Sequence, residues 1–305
     1  MALMIRRRAA VVSLLSVIIA AVPIDGFIGG LSMKQASSSL SATSLSNDDD
    51  RVKGVIFDID GTLADSWNLG YQATKTVLSE YHNNNNDNEE ESSIQHTPET
   101  YPLTSEEYHF GCRYTTPERL ARHVGLEPDH PSFEKVGEDL GSKFDDYYVK
   151  LVDRQTAGFY DGIGELLVKL NSGNEDDAVQ LGALTNACVE YAHAVLKANC
   201  PEYSESTSEG KIYHRFSSIH GANSVPRPKP FGDGILQCCK EMNLLPSEVI
   251  YVGDAPTDGR AAKDAKCKAS IGVLWGSNDE DVMIGEFTTL CSSIDELETA
   301  IKQYL

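Results

Sequence analysis

Short apolar runs alternate with amphipathic helical patterns along most of the chain. The runs have the length and composition of strands that are buried on both faces of a sheet. Strands are predicted at 55–57, 179–186, 248–254 and 269–275. Helices are predicted at 163–170, 187–198, 231–242, 258–265 and 294–301. This alternation predicts an α/β fold in which helices cover both faces of a parallel sheet.

The stretch 68–158 interrupts the alternation, because only helical patterns are found in it. An apolar residue at every fourth position predicts a first helix over 67–81. Thr116, followed by Pro117, is expected to cap a second helix that ends near Gly125. We therefore expect a helical domain inserted after the first strand.

A longer helix and a low-complexity tract complete this insertion. The helix is expected to begin at Ser132, with one buried stripe formed by Phe133, Val136, Leu140, Phe144, Tyr147 and Leu151. Asn and Glu dominate 82–93 and offer almost nothing to bury, so we expect a disordered insert near 82–100. The chain then divides into a core at 47–67 and 159–305 and an all-helical cap at 68–158.

Residues 1–46 are expected to be a presequence outside the folded domains. A basic head at 1–8 precedes an apolar run at 9–22, which is shorter than a membrane-spanning helix and fits a signal peptide. The following Ser-rich stretch, 29–46, has no acidic residue and is typical of a transit peptide. This order resembles the two-part presequences of algae with secondary plastids, in which Phe27 would follow the signal cleavage point. A secretory signal with a Ser-rich linker, or an uncleaved anchor, would instead indicate a secreted or endomembrane protein.

Composition excludes some classes of function. The chain has 26 Lys and Arg against 46 Asp and Glu, so its formal net charge is −20. This balance argues against a nucleic-acid partner, which would need a basic face. The seven cysteines form no CxxC pair, which argues against a zinc site or a disulfide framework. We expect no stable membrane association after processing, and the oligomeric state stays open.

Polar residues follow three of the predicted strands. They are Asp58 and Asp60, Thr185 and Asn186, and Asp254 and Asp258. In parallel α/β sheets such residues meet in the crevice at the carboxyl ends of the strands. Carboxylates grouped there without His or Cys favour Mg²⁺, which also binds substrate phosphates. Lys229 is available as a mobile cation for such a site.

Four short motifs resemble those of the haloacid dehalogenase-like hydrolase superfamily. DIDGTLADS at 58–66 is similar to its first motif, and LTN at 184–186 to its second. Lys229 before Pro230 is similar to the third motif, and GDAPTD at 253–258 to the fourth. The long gap between the first two motifs resembles members with a helical cap, in particular phosphoglycolate phosphatase-like enzymes. The resemblance implies a Rossmann-like core with an inserted all-helical cap.

The resemblance also implies a role for each motif residue. Asp58 would be the nucleophile that forms an aspartyl phosphate, and Asp60 the general acid and base. The phosphate would be bound by Thr185, Asn186 and Lys229. Mg²⁺ would be held by Asp58, the backbone carbonyl of Asp60, Asp254 and Asp258.

The substrate is expected to be a small phosphorylated metabolite, most economically 2-phosphoglycolate. In the cap, Arg113 and Arg119, with Tyr114 between them, are candidates to hold a substrate carboxylate. A sugar-phosphate phosphomutase of the same superfamily is the main enzymatic alternative, since it uses the same motifs. A non-catalytic binding protein on this fold is the alternative from another class. Such a protein would be expected to have lost one of Asp58, Asp60, Lys229 or Asp254, and all four are present.

Overall fold

The computed structural model describes residues 51–85, 95–172, 178–200 and 212–305, which lie within one compact unit, Asn47–Leu305. The strands are β1 (Gly54–Phe57), β2 (Ala64–Asp65), β3 (Gly158–Phe159), β4 (Gln180–Leu184), β5 (Phe216–His220), β6 (Val249–Gly253), β7 (Ala269–Val273) and β8 (Thr289–Cys291). The helices are α1 (Trp67–Asn85), α2 (Ser105–Gly111), α3 (Thr116–His123), α4 (Phe133–Lys150), α5 (Ile163–Asn171), α6 (Val189–Asn199), α7 (Asp233–Glu241), α8 (Pro256–Ala265), α9 (Glu280–Met283) and α10 (Ile294–Lys302). The expected presequence, 1–46, lies outside the described residues.

Six parallel strands form the main sheet, in the order β5-β4-β1-β6-β7-β8. β1 lies in the middle, where Phe57 pairs with Ala183 on one side and Val252 on the other. All residues of β1, β6 and β7 are buried, as the continuous apolar runs predicted. The predicted α/β class with a parallel sheet is confirmed.

Helices cover both faces of this sheet. Alternate residues of β1 enter different apolar clusters, because successive side chains point to opposite faces. Phe57 packs in a cluster that contains Leu167 of α5, Val195 of α6 and Leu297 of α10. Ile56 packs instead in a smaller cluster formed largely by α7 and α8, with the buried side chains Ile235, Cys238, Ala261 and Ala262. The sheet therefore has an apolar core on each side.

The four helices α1 to α4 lie between β2 and β3. These two strands pair antiparallel, Ala64 with Phe159 and Asp65 with Gly158, so the chain leaves the core and returns to it at the same place. α3 and α4 pack against each other, and α4 also contacts α6 of the core. The described residues contain no helix that is long and apolar enough to cross a membrane.

The expectation of a disordered insert near 82–100 is wrong at both ends of this segment. α1 continues to Asn85, and the side chain of Asn83 exchanges hydrogen bonds of 2.8 and 2.9 Å with the backbone of His96. The rings of His82, His96 and Tyr101 also contact one another, which gives this polar segment local partners. The middle of the expected insert, 86–94, lies outside the described residues.

Two details of the expected helices also differ. The N-cap of α3 is Thr115, one residue before the predicted Thr116, and its side chain makes no capping hydrogen bond. In α4 the expected stripe ends differently, because Tyr148 is buried whereas Leu151 is 45% exposed. Tyr148 continues the spacing of four that begins at Leu140 and Phe144, and this spacing keeps it on the buried face.

Candidate active site

The turn after β1 places a carboxylate at the carboxyl edge of the sheet. Asp58 follows Phe57 directly and is buried. The turn depends on Gly61, which has a φ of +75°, and a Cβ there would lie 2.1 Å from Oδ2 of Asp254. Glycine is therefore required twice, for its left-handed backbone and for the space next to Asp254.

Lys229 joins two of the predicted acidic residues. Its Nζ donates hydrogen bonds of 2.6 Å to Oδ1 of Asp58 and of 2.6 Å to Oδ1 of Asp258. All three side chains are buried, so these ion pairs are shielded from solvent. The neighbouring carboxylates raise the pKa of Lys229 against the opposing effect of burial, and the ammonium group stays charged.

Asp254 brings a third carboxylate to this place. One oxygen each of Asp58, Asp254 and Asp258 lie within 4.8 Å of one another. Burial, with the charge of Asp258, raises the pKa of Asp254 to about 7. Burial also raises the pKa of Asp58, although Lys229 opposes this shift. The ammonium group of Lys229 alone does not balance three carboxylates. The hard oxygen donors of these carboxylates fit a divalent cation such as Mg²⁺.

Asp258 is fixed by its own helix as well as by Lys229. It lies in the first turn of α8, where its Oδ2 accepts a hydrogen bond of 2.9 Å from the backbone N–H of Ala255. The hydroxyl of Tyr251 donates to Oδ1 at 3.2 Å. The residue therefore caps its helix and also belongs to the acidic cluster.

The carboxylate of Asp60 has different neighbours. Its Oδ1 accepts hydrogen bonds from the hydroxyls of Ser66, Tyr148 and Tyr191, the last two at 2.8 and 2.5 Å. Its Oδ2 accepts a hydrogen bond of 3.1 Å from Thr185. The side chain is thus engaged apart from the acidic cluster, which leaves the backbone carbonyl as the metal ligand expected of this residue.

The two tyrosines were not among the predicted site residues. Tyr191 lies on α6, and Tyr148 on α4, within the insertion. Burial and the charge of Asp60 hold the pKa of both phenols well above its usual value, so both remain hydrogen-bond donors at neutral pH. For Tyr148 the spacing of four from Phe144 was an available signal of burial, but no local pattern indicates the contact with Asp60.

Thr185 and Asn186 lie where the second motif was expected, at the end of β4. The hydroxyl of Thr185 accepts a hydrogen bond of 3.0 Å from the backbone N–H of Ala187 and donates to Asp60. The side-chain amide of Asn186 pairs with the backbone N–H and C=O of Lys229, both at 3.0 Å. Asn186 therefore fixes the main chain that carries Lys229.

A cavity of about 180 Å³ opens above these residues. Asp58, Lys229 and Asp254 line it from the core, and Tyr114 and Arg119 line it from the insertion. This volume lies below the ~300–1,000 Å³ of pockets for drug-sized ligands, so it suits a small metabolite.

The two candidate arginines have different positions. Arg119 is 4% exposed, and its guanidinium lies 5.0 and 4.9 Å from the ring centres of Tyr108 and Phe144. No salt bridge within the described ranges involves Arg119. Arg113 is exposed, stacks on Phe110 at 3.6 Å and is not among the residues that line the cavity. The structure thus places Arg119 in the wall of the cavity that Asp58 also lines, and Arg113 does not line it.

Comparison with known proteins identifies the family of this chain. The haloacid dehalogenase-like hydrolase family matches residues 52–266, and the chain belongs to this family. A phosphoglycolate phosphatase of Shigella dysenteriae is 28% identical over 259 residues, which cover 82% of this chain and 92% of the relative. The expected family is therefore confirmed, and the chain is an enzyme of the phosphatase type within it.

Solved structures show the same fold. A hydrolase from Pseudomonas syringae superimposes with a TM-score of 0.59 at 20% identity and covers 83% of this chain and 99% of its own. A mutant of CbbY from Rhodobacter sphaeroides, crystallised with xylulose-(1,5)bisphosphate, has a TM-score of 0.58 at 17% identity, with coverage of 81% and 96%. At these identities the comparison supports the architecture alone.

Proposed function

We propose that this chain is a Mg²⁺-dependent phosphatase that hydrolyses 2-phosphoglycolate through an aspartyl phosphate on Asp58. The choice of substrate rests on the position of Arg119. Its buried guanidinium lines the same cavity as Asp58 and forms no salt bridge within the described residues. A planar guanidinium can bind a carboxylate with two parallel hydrogen bonds. A small substrate with a phosphate at one end and a carboxylate at the other matches these two groups, and the relative from Shigella dysenteriae supports the choice.

The reaction has two displacement steps. In the first, Asp58 attacks phosphorus, the bond from phosphorus to the glycolate oxygen breaks, and a proton moves from Asp60 to that oxygen. In the second, water attacks phosphorus and gives its proton to Asp60, and the bond to Asp58 breaks. Inorganic phosphate leaves, and both carboxyl groups return to their initial states.

The remaining motif residues stabilise charge. Lys229 orients Asp58 and offsets the negative charge of the phosphoryl group. Mg²⁺, held by Asp58, Asp254, Asp258 and the backbone carbonyl of Asp60, would supply further positive charge next to the phosphoryl oxygens. A chelator should therefore abolish phosphate release and added Mg²⁺ should restore it, whereas full activity in metal-free buffer would contradict this part of the proposal.

The substrate is tested by comparing phosphoglycolate with ethyl phosphate, which lacks the carboxylate. Loss of a charge-assisted pair of ~1.5–3 kcal/mol should lower the ratio of their kcat/KM values by about 10- to 150-fold in Arg119→Met. Arg113→Met is the matched control, because this exposed arginine lies outside the cavity, and it should leave the ratio unchanged. An unchanged ratio in Arg119→Met, or faster turnover of hexose phosphates than of phosphoglycolate, would exclude this substrate.

We also propose that the enzyme works in a plastid. The support is the order of a signal-like segment and a Ser-rich, acid-free segment within 1–46. Residues 1–46 fused to a fluorescent protein should direct it to the plastid of an alga with secondary plastids. Fluorescence in the medium or the endomembranes would contradict this location and leave the enzymatic proposal intact.

A further inference from the structure

Four hydroxyl groups donate hydrogen bonds to the carboxyl group of Asp60. Three of them, from Ser66, Tyr148 and Tyr191, donate to the same oxygen, Oδ1. Among the described residues, only the hydroxyl of Thr185 donates to Oδ2, at 3.1 Å. An oxygen that accepts three hydrogen bonds has no free position for a proton, so Oδ2 is the atom that can carry one.

The two tyrosines come from different parts of the fold. Tyr191 belongs to α6 of the core, and Tyr148 belongs to α4 of the insertion. Their rings stack with centres 4.0 Å apart and planes 11° from parallel, which fixes both hydroxyls relative to Asp60. Tyr148 can reach Asp60 only while α4 packs against α6.

We propose that Tyr148 and Tyr191 are positioning residues that turn Oδ2 of Asp60 toward the leaving oxygen of the substrate. This inference rests on the proposed phosphatase function, in which that oxygen takes a proton from Asp60 as its bond to phosphorus breaks. Because Tyr148 lies in the insertion, Asp60 is fully oriented only when the insertion is closed over the site.

The leaving group separates this role from a structural one. Glycolate leaves as a poorly stabilised alkoxide and needs the proton, whereas 4-nitrophenolate leaves readily without it. Since kcat/KM includes only the steps up to phosphoryl transfer to Asp58, it reports the proton donation and not the later attack of water. A misplaced acid should therefore slow the alkyl ester selectively.

The test compares Tyr148→Phe and Tyr191→Phe on phosphoglycolate and 4-nitrophenyl phosphate. Each variant keeps its ring and loses one hydroxyl, and kcat/KM for phosphoglycolate should fall by roughly 10- to 100-fold, part of the 10²–10⁴ that general acid–base catalysis contributes. The value for 4-nitrophenyl phosphate should stay close to that of the wild type. Tyr147→Phe is the control, because its hydroxyl bonds to Glu80 at 2.5 Å and should affect neither substrate.

Thermal midpoints of the variants show whether they are folded, and two separate tyrosines keep the test valid if one variant is not. An equal fall with both substrates, or no fall with phosphoglycolate in a folded variant, would overturn the positioning role. A wild-type enzyme that released phosphate from neither substrate would instead overturn the proposed function on which the inference rests.

Discussion

Replacing Lys229 with methionine should inactivate the enzyme and should also strongly destabilise its core. The Nζ atom of Lys229 lies 2.6 Å from Asp58 and 2.6 Å from Asp258, and the lysine is only 6% exposed. Methionine fills a similar volume but leaves two buried carboxylates without a counter-charge. Removal of one partner of a buried ion pair costs about 3–5 kcal/mol, which is about 6–20 °C in Tm for a domain of this size.

Urea unfolding in chelator-containing buffer measures this loss without interference from metal. Lys75→Met is the matched control, since Lys75 is also buried but its Nζ contacts a backbone carbonyl, that of Glu99, at 3.3 Å. Adding Asp258→Asn to Lys229→Met should recover part of the stability, because it removes one of the unpaired charges. A loss below ~1 kcal/mol, or one equal to that of Lys75→Met, would show that the two ion pairs of Lys229 do not stabilise the core.

Three further outcomes are expected. Gly61→Ala should lose activity and unfold at a lower urea concentration. The free energy of unfolding should fall by at least about 1 kcal/mol for the left-handed backbone alone, and by more because of the contact with Asp254. Wild-type stability and activity would contradict the need for glycine in this turn. Thr104→Ala removes the capping box of α2 and should cost ~1 kcal/mol in the same assay, so an unchanged midpoint would refute the cap. Burial raises the pKa of Asp145 from 3.8 to about 6, so the stability that this group contributes is full below about pH 4 and is lost as the pH rises to 6. Asp145→Asn should flatten the pH profile of the urea midpoint across that window. Asp146→Asn, at the exposed neighbouring position, should leave the profile unchanged. Identical profiles for the two variants would contradict the raised pKa of Asp145.

The buried strands could be predicted because their sequence pattern is local. β1, β6 and β7 are covered by neighbours on all sides and are therefore continuously apolar. β5 and β8 form the two edges of the sheet, and their sequences, FSSIH and TLC, contain polar residues because edge strands meet solvent. These two strands were not predicted for that reason.

The acidic site could be predicted because its residues follow strands whose ends meet in a parallel sheet. The structure brings Asp58, Asp254 and Asp258 together as this rule requires. The partners of Asp60 could not be found in this way. Tyr148 and Tyr191 lie within helices, and only the packing of α4 on α6 brings their hydroxyls to one carboxylate. Arg113 and Arg119 were both candidates from the sequence, and only the burial of Arg119 in the structure separates them.

The stereochemistry of phosphoryl transfer shows whether Asp58 is the nucleophile. A phosphate monoester made chiral at phosphorus with oxygen isotopes and sulfur is hydrolysed, and the configuration of the released thiophosphate is determined. Transfer to Asp58 and then to water inverts the configuration at phosphorus twice, so we expect overall retention. Overall inversion would show that water attacks the substrate directly, and it would contradict the assignment of Asp58 as the nucleophile.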